Sequence, residues 1–144
     1  MNPEFEQCLK TQKIKEFSRG KALIGKELQA ADSDLKQAKI SLENRSYKWA
    51  TVQSYYAMFH SARSLLYAKN YREKSHYCLI IAIKALYTEK NLLPLYLIES
   101  LQKGKTLRES ADYYDDWSEI GANEMLKNAG EFIAKAKELL GINK

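Results

Sequence analysis

Apolar residues recur at helical spacing along three separate stretches of this chain, a rhythm that restricts it to packed helices. From Ile24 the positions run through Leu28, Ala31, Leu35, Ala38 and Leu42. That narrow seam is of the kind that packs in left-handed bundles. Between about Ser46 and Lys69, Val52, Tyr55, Tyr56, Phe59, Ala62 and Leu66 share one broad face. After Ser118, a plausible N-cap, the set Ala122, Met125, Leu126, Ala129, Phe132, Ile133, Ala136 and Leu140 makes a third face, closed by Gly141. No segment alternates convincingly with period two, and no repeat or low-complexity tract occurs. The expected fold is all-α: an antiparallel four-helix bundle with short additional helices.

The connecting stretches predict the extras. Pro3 to Phe17 reads as a short leading helix, after which Gly20 and Gly25 loosen the chain. Arg72-Glu73-Lys74 reads as a turn, and Ser75 as the N-cap of a helix from His76 to about Thr88. Pro94 opens a short helix carrying Leu97, Ile98 and Leu101, which Lys103-Gly104-Lys105 should interrupt. Thr106-Leu107-Arg108-Glu109 has the form of a capping box, so a further helical segment is expected from Arg108 to Tyr114. The 144 residues read as one domain, with a core over about 26–140 and residues 1–25 as an N-terminal extension. A chain of that length can bury roughly 70% of its unfolded surface.

Charge and cysteine usage narrow the function classes only modestly. Lys and Arg number 23 against 18 Asp and Glu, a net charge of +5. This mild excess is compatible with an RNA or nucleotide partner without deciding for one. Cys8 and Cys78 lie 70 positions apart with no CxxC or Cys/His ligand spacing. They read as unpaired thiols of a reducing compartment, Cys78 packed in an apolar run, and no structural zinc is expected. Met1 to Arg19 lacks the apolar stretch of a signal peptide, and the longest apolar run, Tyr77 to Ile83, is too short to span a bilayer. The expectation is a cytoplasmic protein with no membrane contact and no cofactor.

Each chemically capable residue also has a plain structural reading. Tyr56, His60 and Arg63 form one stripe beside the core face, either a functional surface or a half-buried bundle edge with His60 bonded to a neighbouring helix. His76 sits at a helix start, where free backbone N–H groups favour anions, and Arg72 and Lys74 could assist a phosphate there. The alternative is a solvated turn of charged residues. Asp112, Asp115, Asp116 and Glu119 could supply a magnesium site, but acidic residues at a helix start also match the helix dipole. Ten tyrosines could stack on bases, yet at helical spacing they serve equally as core and rim.

Four ordered strings carry a resemblance. These are Ser54-Tyr55-Tyr56-Ala57-Met58-Phe59-His60-Ser61-Ala62-Arg63; Lys74-Ser75-His76; Leu107-Arg108 followed by Ala111-Asp112-Tyr113; and Ala129 through Ile133. Together they resemble the small stand-alone HEPN proteins of bacteria and archaea over roughly Lys26 to Leu140. The resemblance implies a helical bundle that forms homodimers. It also implies a motif of Arg, a few residues and His near the last long helix. In active members the motif makes a metal-independent ribonuclease centre, and several members act as toxins beside a small nucleotidyltransferase antitoxin.

Carried over residue by residue, Arg108 stands at the motif's arginine, but Tyr113 holds the histidine position. A phenol with pKa about 10 is disfavoured as a base at pH 7 by roughly 4 kcal/mol. Arg72 and His76, with three intervening residues, could form a relocated centre. The sequence thus points to a HEPN-type protein of a toxin–antitoxin or related pair, binding RNA or nucleotide through a cleft around Arg108. The cleft would also include Arg72, Lys74, His76, Asp112, Tyr56 and His60. Ribonuclease activity is expected to be weak or absent, with Arg108, Tyr113 and His76 as the candidate catalytic residues. The alternative is an active metal-independent ribonuclease toxin.

Overall fold

The computed structural model describes residues 2–109 and 117–142. Their order is α1 (Pro3–Lys10), β1 (Ile14–Glu16), α2 (Gly20–Glu43), α3 (Tyr47–Tyr67), β2 (Tyr71–Glu73), α4 (His76–Leu86), a 3₁₀ turn (Thr88–Lys90), α5 (Leu95–Glu109) and α6 (Glu119–Leu139). The fold is all-α, as the periodicity requires. The long helix α3 is its axis: α2, α4, α5 and α6 all pack against it. Tyr55, Met58, Ala62, Leu65 and Leu66 on α3 meet Leu79 and Ile83 of α4, Leu97 and Leu101 of α5, and Phe132 of α6 in one core. Ile24, Leu35 and Leu42 of the α2 seam are half-buried, whereas Leu28, Ala31 and Ala38 are fully covered.

The helix ends obey their local chemistry. Ser75 Oγ accepts from the Cys78 amide and Ser118 Oγ from the Gly121 amide, each satisfying one orphan donor of a first turn. Arg45 takes a left-handed φ of 59° between α2 and α3, and Gly141 ends α6 at φ +72°. There the Ile142 amide reaches back to the carbonyl of Lys137.

Five expectations are corrected. The leading helix stops at Lys10, and Ile14–Glu16 instead forms a strand antiparallel to Tyr71–Glu73, Ile14 opposite Glu73. Three residues per strand are too few to show alternation, so the ribbon left no periodic signal. For the same reason Arg72-Glu73 lies in a strand and not in a turn. Gly20 and Gly25 do not loosen the chain: α2 begins at the first and runs through the second. A Cβ on Gly20 would lie 3.0 Å from Cβ of Tyr67, so this glycine permits close packing. Likewise α5 is not interrupted at Gly104 and continues to Glu109, with the Thr106 hydroxyl donating to the Gln102 carbonyl within it and not capping a new helix. The rest of the helical segment expected to reach Tyr114 lies outside the described residues.

The fifth correction concerns the cysteines. Cys8 and Cys78 are joined in a disulfide with Cα atoms 5.9 Å apart. Phe5 and Cys8 form the buried face of α1 against α4, which brings together two positions 70 residues apart. Sequence spacing carries no information on such a pairing. Cysteine usage therefore gives no argument for a reducing compartment.

Candidate functional site

One cluster of side chains, termed the cleft, gathers chemistry at the junction of α3, α5 and the start of α4. Arg108, in the last turn of α5, donates from Nη1 to the Tyr56 hydroxyl of α3 at 3.0 Å. Its guanidinium also stands 5.8 Å and 5.7 Å from the ring centres of Tyr55 and Tyr56. Among the described residues its buried Nε has no hydrogen-bond partner and Arg108 has no acidic partner within ion-pair distance. A guanidinium held in place with no carboxylate beside it among the described residues is suited to an anion.

His76 forms the second wall. Its Nδ1 is 2.6 Å from the Tyr55 hydroxyl, and its ring stacks on Phe59 with centroids 4.4 Å apart. Burial lowers its pKa below the usual imidazole value, and the Arg108 charge lowers it further. The ring is therefore neutral at pH 7. Burial likewise pushes the Tyr55 phenol far above its ordinary value, only partly offset by Arg108. Tyr55 stays protonated at any physiological pH.

Behind this wall runs an ordered chain of charges. Glu73 on β2 is 8% exposed and accepts from both Nε and Nη2 of Arg63 at 3.0 and 2.7 Å. Arg63 also lies 3.5 Å from Glu27 of α2, and its guanidinium covers the Phe59 ring at 4.5 Å. His60 contacts Glu27 at 2.8 Å and Asp34 at 3.6 Å. Burial opposes ionisation of Glu27, but the His60 hydrogen bond and the Arg63 charge outweigh it and lower its pKa. Asp34 is shifted the other way, raised by burial against the His60 charge. This arrangement fastens α2 and β2 to α3 and fixes the ring against which His76 rests.

The expected site residues thus separate into two groups. Arg108, His76 and Tyr56 converge, with Tyr55 as the link between them. His60 faces α2 and takes the bundle-edge role. Arg72 is directed elsewhere, its guanidinium 5.0 Å from the Phe17 ring. Lys74 is fully exposed beside Lys15, whose contact and charge lower its pKa. Asp112 and Tyr113 lie outside the described residues. Among those described, no group of three or more His, Cys, Asp or Glu is placed to hold a metal ion. No described helix is long and apolar enough to cross a membrane.

Residues 26–140 match a family model described as the HEPN domain. The chain belongs to the HEPN domain family. The chain is also similar to a Methanocaldococcus jannaschii protein named "Putative toxin", 33% identical over 83% of this chain and 96% of that protein. An Archaeoglobus fulgidus protein named as a UPF0332 protein is 30% identical over 81% of this chain and 94% of its own length. A Gloeobacter violaceus UPF0332 protein is 28% identical over 76% and 90% respectively. The HEPN match begins at residue 26, so α1 and β1, which carry Cys8 and pair with the Glu73 strand, precede it.

Sequence reasoning missed Tyr55, Phe59 and Glu73 as parts of the cleft. Tyr55 and Phe59 fall on the core face of α3, where apolar burial explains them fully. The available signal was the Tyr55 hydroxyl, because a phenol on a core face must find a hydrogen-bond partner. Glu73, between two basic residues, resembled a solvated turn until β1 was seen to cover it.

Proposed function

We propose that this HEPN protein belongs to a toxin–antitoxin or related two-component system and binds the phosphate of RNA or a nucleotide at Arg108. The observation that carries this reading is the Arg108 guanidinium, oriented by Tyr56, with a buried unpaired Nε and no acidic partner among the described residues. The toxin name borne by the M. jannaschii relative supports the setting. A small nucleotidyltransferase antitoxin is the expected partner, a homodimer the expected assembly, and the cytoplasm the place where RNA and antitoxin would be met. RNA cleavage by the purified protein is expected to be weak or absent. Tyr113 stands in the motif's histidine position, and loss of general acid–base transfer typically costs 10²- to 10⁴-fold.

The test is binding of a short single-stranded RNA and of AMP by wild type and by Arg108→Ala, alongside growth on induction of each. Equal binding by the two proteins would remove Arg108 from the site. Tyr113→His should create or raise EDTA-resistant cleavage. The second reading, an active ribonuclease toxin, draws support from the imidazole of His76 beside Arg108. Robust wild-type cleavage abolished by His76→Ala would decide for it.

A further inference from the structure

We propose that Tyr55 is a positioning residue that locks His76 in its Nε2–H tautomer, so that His76 serves the cleft as a neutral hydrogen-bond donor to a phosphoryl oxygen and not as a base. The inference deepens the phosphate-binding reading of Arg108 and rests on it for the ligand, though the tautomer itself is a property of the free protein.

Tyr55 is 1% exposed, and among the described residues its hydroxyl contacts one hydrogen-bonding atom, Nδ1 of His76. A buried hydroxyl carries one proton that must be given to an acceptor. If Nδ1 carried the imidazole proton, the phenol oxygen would have to accept it, and the phenol's own proton would find no acceptor among the described residues. With Nδ1 bare, Tyr55 donates to it and both are satisfied. The imidazole proton must then sit on Nε2. Nε2 makes no protein hydrogen bond among the described residues, and His76 as a whole is only partly buried. Stacking on Phe59 fixes the ring plane, and Gly104 and the α5 backbone confine Tyr55. Tyr55 thus links the two groups that would donate to a phosphoryl oxygen: His76 through the hydrogen bond to Nδ1, and Arg108, whose guanidinium stands 5.8 Å from the Tyr55 ring centre.

The first measurement is long-range proton–nitrogen NMR of the uniformly labelled full chain at neutral pH. A pyrrole-type signal at His76 Nε2 and a pyridine-type signal at Nδ1 are expected. In Tyr55→Phe the two nitrogens should move toward averaged values as the lock is lost. A pyrrole-type Nδ1 in the wild type overturns the proposal without any variant. Titration with inorganic phosphate, AMP and a short single-stranded RNA follows, the three arms separating a free anion from a nucleotide or a strand. Bound phosphate should shift the Nε2–H signal with the tautomer unchanged. His76→Gln, which keeps an N–H donor, should retain affinity within about twofold, whereas His76→Phe should lose roughly tenfold. Arg108 signals that move while Nε2–H does not would refute the donor role and leave the Arg108 reading standing. A locked tautomer with neither group responding would instead defeat the phosphate site itself, and with it the donor role.

Discussion

A Cβ placed on Gly104 would lie 2.8 Å from Cδ1 and 3.1 Å from Cβ of Tyr55, so α5 crosses α3 with no room for a side chain at this point. The same contact holds the phenol that reaches His76. Gly104→Ala would gain about 1 kcal/mol of helix propensity. Overpacking against a buried ring costs about 1–3 kcal/mol. Overpacking wins, and the expected result is net destabilisation of about 1 kcal/mol together with a changed His76 nitrogen spectrum. A Gly104→Ala protein of raised melting temperature and unchanged spectrum would show that the ring yields freely.

The Arg63–Glu73 pair is the strongest ionic contact near the cleft, since Glu73 is covered by β1 and accepts two hydrogen bonds. Removing the carboxylate leaves a partly buried guanidinium with only Glu27 at 3.5 Å. Arg63 retains some solvent access, so the full penalty of a dry broken pair is discounted. Glu73→Ala is expected to cost about 2 kcal/mol in urea denaturation. Glu73→Gln, which keeps an acceptor, should cost less.

The Cys8–Cys78 bond closes a loop with a sequence separation of 70 residues. Chain-entropy reasoning assigns such a cross-link about 4 kcal/mol through the unfolded state. Reduction should lower the melting temperature of the wild type and leave a double Cys8→Ser, Cys78→Ser variant unmoved. Two titratable thiols in the unfolded, unreduced protein would show the bond to be absent in solution.

Acid should weaken the fold partly through His76, because its pKa is lower in the folded protein than in the unfolded chain. The unfolded chain then takes up the proton more readily, so stability falls as pH drops below the unfolded value of about 6.5 and levels off only below the folded one. The charged groups acting on the ring are Arg108 and Lys105 from α5, Arg63 from α3 and Glu73 from β2. Three of the four are cations, so the direction does not depend on burial alone. Between pH 7 and 5.5 the wild type should lose more stability than His76→Gln. Parallel pH profiles would place the titrating group elsewhere.

The helices, their faces and most of their ends were legible in residue spacing, because these depend on neighbours within one turn. Leu28, Ala31 and Ala38 fall on the buried side of α2 for that reason, and Ser75 and Ser118 cap where their side chains can reach the next amides. The family was legible too, through four ordered strings that run from Ser54 on α3 to Ile133 on α6. That Tyr55 is a link in the cleft and not just a core ring follows from helix packing, since its partner lies 21 positions away on another helix. Gly104 read as a break because glycine disfavours helix locally, yet contact with Tyr55 requires it inside α5. Arg72 and His76 are near in sequence but separated by the strand pleat and the turn into α4, while Arg108 and Tyr56, 52 positions apart, share a hydrogen bond. Local propensity acts over a few residues; a site assembled from α3, α4 and α5 depends on how those helices cross.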